Sequence, residues 1–82
     1  MQVFVLIYDE WYDGSRVLGV FDSVEAAKAS DKIERDAPYI YQEWVQIEGG
    51  DLVSYICLPV PDDLEEPKAF ANYAIRTFEV EN

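Results

Sequence analysis

The chain has 82 residues, half of them hydrophobic and 15% aromatic, which is enough for one hydrophobic core and predicts a single domain, residues 1–82. Seventeen Asp and Glu residues against six Lys and Arg give a formal net charge of −11, which opposes direct binding to nucleic acid or to an anionic membrane. The natural partners of such a surface are cations or basic proteins, although acidity can also serve solubility alone.

The sequence has no His, so it lacks the usual general base near neutral pH and the commonest metal ligand. The single Cys57 cannot form an internal disulfide and is predicted to be a small buried hydrophobe, which favours the cytoplasm. The apolar start MQVFVLIY has no basic flank and is too short for a signal peptide or a membrane span. We therefore predict a cytoplasmic protein that is not an enzyme and binds no cofactor, metal or membrane.

Two runs rich in β-branched and aromatic residues, VFVLIY and VLGVF, flank the turn dipeptide Asp13–Gly14 and predict a β-hairpin. A two-residue turn there would place Trp11 opposite Arg16 as a cation–π pair. The stretch YDEWYDG at the end of this hairpin contains more carboxylate than turn chemistry needs. Its candidate partner-binding residues are Asp9, Glu10, Trp11, Tyr12 and Asp13.

The next segment, DSVEAAKASDKIERDAP, predicts a helix from Asp22 to Arg35. Asp22 and Glu25 have the spacing of a capping box, and Pro38 follows as a stop signal. The basic residues of this helix are predicted to be neutralised by acidic residues one turn away. A narrow stripe of small and apolar residues would pack on the sheet: Ala26, Ala29 and Ile33.

A period of two in YIYQEWVQIE, then GGD, then LVSYICLPV predicts a second hairpin. A turn centred on Gly50 and Asp51 would set Val45 opposite Ile56. The same register places Trp44 opposite Cys57, and Trp44 is predicted to belong to the sheet core.

The run PDDLEEPKAFANYAI predicts a short helix that begins near Pro67, with carboxylates at its N-terminus. The final IRTFEVEN alternates apolar and acidic residues and predicts one more strand. Four carboxylates before the helix exceed what capping requires, so they form a second candidate partner-binding cluster: Asp62, Asp63, Glu65 and Glu66.

The predicted order of elements is therefore ββαββαβ. Because hairpins imply antiparallel pairing, the predicted fold is a two-layer α+β domain. It has an antiparallel sheet of four to five strands, with the helix from Asp22 to Arg35 packed on one face. The predicted core residues are Leu6, Ile7, Val20, Phe21, Ala29, Ile33 and Val45.

The opening strand, the acidic and aromatic hairpin, GVFDSVEAAKA and YIYQEW together resemble small ββαβ domains of unknown function that are common in phage and bacterial genomes. The resemblance covers roughly residues 1–48 and supplies no catalytic residue. It implies a phage-encoded accessory protein, a group that includes inhibitors of host defence such as anti-CRISPR and anti-restriction proteins.

These observations favour an inhibitor that binds a basic, nucleic-acid-handling host protein, with carboxylates standing in for phosphates. The alternative is a non-catalytic interaction or homodimerising module without nucleic-acid mimicry, because one helix would leave a sheet face uncovered. An enzyme that uses Mg²⁺ at the 62–66 cluster is less favoured, since the run lacks the alternating ligands and central Gly of a calcium loop.

Overall fold

The computed structural model describes residues 1–36, 38–59 and 68–81. In order along the chain, the described elements are β1 (Gln2–Glu10), β2 (Gly14–Phe21), α1 (Val24–Lys28), β3 (Ile40–Tyr41), β4 (Val45–Gln46), β5 (Leu52–Cys57) and β6 (Ala69–Glu79). The strands form one antiparallel sheet in the order β2-β1-β6-β5-β3, and β4 pairs with β5 beside β3. The first and last strands of the chain therefore lie side by side in the centre of the sheet.

The predicted α+β fold with one main helix is wrong, because the described chain is mostly β with a single short helix. Helix α1 has five residues and is capped by Ser23, whose Oγ accepts a hydrogen bond from the backbone N–H of Ala26 at 3.1 Å. The predicted cap, Asp22, lies one residue earlier. None of the described residues forms a helix that is long and apolar enough to cross a membrane.

Ser30 marks the point where the predicted helix gives way to a turn. Its Oγ accepts the backbone N–H of Lys32 at 3.1 Å, and its carbonyl oxygen accepts the N–H of Ile33 at 3.2 Å. Ser and Asp side chains that bond to nearby backbone compete with helical hydrogen bonds. The chain after Ser30 therefore lies over the sheet without further helical turns.

The short helix predicted to begin near Pro67 is also wrong where the structure describes the chain, because Ala69–Glu79 form the long strand β6. β6 pairs with β1 on one side and with β5 on the other. Residues 71–75 of β6 are buried on both faces of the sheet, so they read as a nearly continuous apolar run, and their Ala residues mimic helical composition. The final strand predicted from IRTFEVEN is the second half of β6.

The second hairpin forms with a different register from the predicted one. Val45 lies opposite Val53 and Gln46 opposite Leu52, so the predicted pairs of Val45 with Ile56 and Trp44 with Cys57 are wrong. The backbone N–H of Ile47 donates to the carbonyl of Asp51 at 2.9 Å and closes a longer loop. Two glycines at positive φ make this loop sterically accessible: Gly49 and Gly50.

The hydrophobic core lies between one face of the sheet and the segment that includes α1 and Ile33. It consists of two adjoining groups of buried residues, Leu6 with Ala27 and Ile75, and Ile56 with Ala71 and Tyr73. We call the face that contains Leu6 the covered face and the opposite side the open face. Trp44 packs against both groups and Cys57 is buried, as predicted.

The predicted core residues have mixed outcomes. Leu6 is fully buried, and Phe21 and Ile33 pack against the core while partly exposed. Ile7 is partly buried on the open face. Three predictions are wrong because the residues are exposed: Val20, Ala29 and Val45. Val20 and Val45 are apolar strand residues whose register directs them to the open face.

Candidate functional site

The first hairpin ends in a three-residue loop, not the predicted two-residue turn. Glu10 lies opposite Gly14 and Tyr8 opposite Arg16. The backbone N–H of Asp13 donates to the carbonyl of Glu10 at 3.1 Å, and Gly14 has a φ of +100°. A three-residue loop followed by Gly in the left-handed region is a common hairpin geometry. The predicted pairing of Trp11 with Arg16 is wrong, since the Arg16 guanidinium lies 5.4 Å from the Tyr8 ring centroid.

Trp11 lies at one end of the open face. Its Nε1–H donates to Asn72 Oδ1 at 2.8 Å, and its ring meets the edge of Tyr55 at a centroid distance of 6.4 Å. The Trp11 side chain is 49% exposed, while Asn72 is buried. Trp11 is therefore anchored to the sheet by its indole nitrogen and still presents apolar ring surface to solvent.

The carboxylates near the hairpin end do not form one cluster. Asp9 Oδ1 accepts a hydrogen bond from Ser15 Oγ at 2.8 Å, whereas Glu10 lines a cleft on the covered face. Successive strand residues point to opposite faces, so Asp9 and Glu10 diverge. Tyr12 and Asp13 are exposed at the tip of the loop, and Tyr12 is 94% exposed. Of the predicted residues, Tyr12 and Asp13 form the protruding part of the surface.

The second candidate cluster lies outside the described residues, which stop at Pro59 and resume at Lys68. Its four members are Asp62, Asp63, Glu65 and Glu66. Their predicted role in partner binding therefore stays a prediction. Among the described residues, no group of His, Cys, Asp or Glu is arranged to hold a metal ion.

The structure also forms an aromatic cleft of about 300 Å³ that the sequence did not indicate. The rings of Tyr8 and Tyr73 lie 5.5 Å apart, and those of Tyr39 and Phe70 lie 5.0 Å apart. Its five aromatic lining residues come from three strands and the chain before β3: Tyr8, Tyr39, Tyr41, Phe70 and Tyr73. They lie far apart in the sequence, so no local pattern could have revealed the cleft.

Charged side chains of both signs line the aromatic cleft. Arg16 and Lys32 are balanced by Glu10 and Glu34, so the cleft is nearly neutral in a strongly acidic protein. Burial, followed by the negative charge of Glu10, raises the pKa of Tyr8 above its ordinary value. Ring faces and carboxylates both attract cations, and the guanidinium of Arg16 already occupies the Tyr8 ring face.

Tyr41 and Tyr73 are held in the cleft by backbone hydrogen bonds. The Tyr41 hydroxyl donates to the carbonyl of Asp36 at 3.1 Å. The Tyr73 hydroxyl accepts the N–H of Glu34 at 3.0 Å and donates to the carbonyl of the same residue at 3.3 Å. Burial, with a smaller contribution from Tyr73, raises the pKa of Tyr41. These bonds attach the chain after Ser30 to the covered face.

Arg35 lies outside α1 and forms no salt bridge among the described residues, so its predicted neutralisation by an acidic residue one helical turn away is wrong. Its guanidinium lies over the rings of Tyr41 and Trp44, at 5.5 and 5.9 Å, and donates to Ser54 Oγ at 3.2 Å. The buried Ser54 hydroxyl in turn donates to the carbonyl of Gln42 at 2.6 Å. Arg35 thus stabilises the irregular chain between β3 and β4 instead of neutralising surface carboxylates.

Few carboxylates are neutralised by neighbouring cations. Within the described part of the chain there are two salt bridges, from Arg76 to Asp51 at 3.0 Å and from the Met1 amino group to Glu79 at 3.1 Å. The whole sequence has 17 acidic residues and a net charge of −11. The surface therefore carries a strong, largely uncompensated negative field.

No family model, curated protein or solved structure matches the chain. The resemblance of residues 1–48 to small ββαβ domains therefore stays a prediction. The charge, the exposed loop tip and the open face of the sheet are the features from which function is inferred.

Proposed function

We propose that the protein is a non-catalytic inhibitor that binds a basic, nucleic-acid-handling host protein through its acidic surface. The observation that carries this proposal is the uncompensated charge. Among the described residues, two acidic side chains form salt bridges, and two of the six basic residues, Arg16 and Arg35, lie over the protein's own aromatic rings. A surface of this kind attracts basic surfaces over long distances and repels nucleic acid itself.

The tip of the first hairpin is the best-placed contact element among the described candidates. Tyr12 protrudes with 94% of its surface exposed, beside the exposed carboxylate of Asp13. An aromatic ring next to a carboxylate matches a basic partner, because the ring can be buried while the charge pairs with Lys or Arg. Loops held by a rigid sheet are also where binding residues concentrate.

The test is capture from bacterial lysate on immobilised protein at low and at physiological salt. A captured protein is identified, purified and retested for direct binding. Its binding to duplex DNA or RNA is then measured with and without this protein. We expect a basic partner, an affinity that falls with added salt, and loss of the partner's nucleic-acid binding. A purified partner that binds nucleic acid equally well in the presence of this protein would contradict inhibition.

The hairpin tip is tested with Asp13→Lys and a matched control, Glu81→Lys. Both variants change the net charge equally, and both positions are exposed, but Glu81 lies beyond the end of β6. We expect Asp13→Lys to slow association with the partner more than Glu81→Lys, because local charge at a contact acts in addition to the overall field. Equal slowing would mean that only net charge matters and that the tip is not the contact.

The open face favours the second candidate function, an interaction module without nucleic-acid mimicry. Its exposed apolar side chains include Val17, Val20 and Phe78. A partner bound through such a face would keep its affinity as salt is raised, which separates this function from the charge-driven one.

A further inference from the structure

The open face of the sheet is a surface that the proposed inhibitor function does not use. Helix α1 and the chain through Ile33 pack on the opposite, covered face. Sheet register places a row of apolar residues across five strands of the open face: Val17, Ile7, Ala74, Val53 and Val45. Ala74 and Val53, in the middle of the row, are already buried, whereas Val17 and Val45 at its two ends are exposed. A second group extends this row along β2, β1 and β6: Val20, Val3, Val5 and Phe78.

Several side chains of this face remain strongly exposed. Val17 is 62% exposed, Val20 61%, Val45 47% and Phe78 46%, and the half-exposed ring of Trp11 continues the surface at one end. Antiparallel sheets with one face in water normally place polar residues on that face. An apolar face of this extent marks an interaction surface.

The open face carries few charged side chains, and these interact with neighbours on the same face. Arg76 pairs with Asp51 at 3.0 Å, and Asp9 accepts a hydrogen bond from Ser15. The strand register assigns Asp9 and Arg76 to this face, and Asp51 reaches it through its salt bridge to Arg76, in a chain of net charge −11. A basic partner would find little to pair with here, because Asp51 is already neutralised by Arg76 and Asp9 is the one further carboxylate among these residues.

We propose that the open face is a homodimer interface, in which two copies pack their sheets face to face. A two-fold interface packs the same patch of both copies together, so it requires a surface without strong net charge. In this acidic chain the open face meets that requirement. Its valines and Phe78 can interdigitate between sheets about 10 Å apart, as in a β-sandwich. The proposal does not depend on the basic partner.

The area of the open face is consistent with a modest dimer. Five strands spaced about 4.8 Å apart and about seven residues long at 3.3 Å each present roughly 550 Å² in projection. Two copies in full overlap bury about 1,100 Å² together, close to the lower limit of specific interfaces. We therefore expect a reversible dimer in equilibrium with monomer.

Salt dependence distinguishes this dimer from binding to a basic partner. Two copies of charge −11 repel each other, and this repulsion is screened as the Debye length falls from about 30 Å at 0.01 M salt to about 3 Å at 1 M. Dimerisation should therefore strengthen as salt is raised, whereas the attraction to a basic partner should weaken. Failure of either proposal leaves the other testable.

The experiment is sedimentation equilibrium of the purified protein from about 1 µM to about 1 mM, at low and at high NaCl. The test variant is Val20→Thr/Val45→Thr, which changes exposed residues on strands at opposite sides of the open face. We expect a dimer that tightens with salt and that the variant weakens about tenfold or more, since four methyl groups per dimer become hydroxyls. The control is Ala29→Thr at the exposed C-cap of α1, which should leave the dimer unchanged.

Three outcomes would overturn the proposal. The first is a protein that stays monomeric at the highest concentration and salt. The second is a dimer that Val20→Thr/Val45→Thr leaves intact, which would indicate pairing through the edge strand β2 instead. The third is a dimer that Ala29→Thr weakens as much as the double variant does. Circular dichroism of each variant checks that its fold is retained, which is expected because all three positions are exposed.

Discussion

Replacing Leu6 by Ala tests the assignment of the two sheet faces directly. Leu6 is fully buried at the centre of the covered face, where it belongs to the same core group as Ala27 and Ile75. Leu→Ala at such a site removes transfer free energy and leaves a cavity, which together cost about 3–5 kcal/mol. The whole domain is expected to have a free energy of unfolding of about 4–12 kcal/mol, from typical values per residue. The substitution should therefore remove a large part of the stability.

The assay is urea unfolding followed by circular dichroism, with the protein at low micromolar concentration and low salt so that self-association does not contribute. With a urea slope of about 1–3 kcal/mol/M, the midpoint of Leu6→Ala should fall by on the order of 2 M. The control is Val20→Thr, which keeps the β-branched shape at a residue that is 61% exposed. It should change the free energy of unfolding by less than about 0.5 kcal/mol. A loss below about 1 kcal/mol for Leu6→Ala, or a loss from Val20→Thr that equals it, would refute the assignment of faces.

Three further predictions follow from single contacts. Burial raises the folded-state pKa of Tyr8 above 10.0. The neutral Tyr8 side chain therefore contributes its full stabilisation below pH 10, and this stabilisation is lost as pH rises through the folded-state pKa. The alkaline fall in stability, measured by urea unfolding at successive pH values, should be smaller in Tyr8→Phe. Trp11→Phe leaves the buried Asn72 carbonyl without its indole partner and should lower the free energy of unfolding by about 1–3 kcal/mol. In an Asn72→Ala background the same substitution should lower it little further. An unchanged cost in that background would mean that the hydrogen bond contributes nothing. Ser23→Ala should lower the free energy of unfolding by about 0.5–2 kcal/mol, and Asp22→Ala by less than about 0.5 kcal/mol. A larger loss for Asp22→Ala than for Ser23→Ala in thermal unfolding would show that Asp22 is the helix cap.

The first hairpin could be predicted because its signals are local. Alternating β-branched residues and a Gly that tolerates positive φ lie within one short stretch of chain, and the observed strands β1 and β2 agree with it. The loop is one residue longer than predicted and lies at residues 11–13 instead of 13–14, which moved Trp11 from the strand onto the loop and changed its neighbours. The register depends on tertiary contacts such as the hydrogen bond from Trp11 to Asn72, and such contacts cannot be predicted from the residues of the hairpin alone.

The helices were overpredicted for a related reason. The segments around Ala26 and Ala71 have helical composition, but only Val24–Lys28 is helical within the described chain. β6 becomes a strand because β1 and β5 supply hydrogen bonds on both sides, and these partners lie far away in sequence. Intrinsic propensity amounts to less than about 1 kcal/mol per residue, so tertiary pairing overrides it.

The sequence alone determined the charge, the lack of His, the presence of hairpins and the choice of Tyr12 and Asp13 as exposed candidates. Tertiary structure alone decided that an aromatic cleft forms around Tyr73 and that Glu10 lines it. It also decided that one side of the sheet stays uncovered. Charge and local turns are properties of neighbouring residues, whereas clefts and open faces depend on which distant strands pair and in which register.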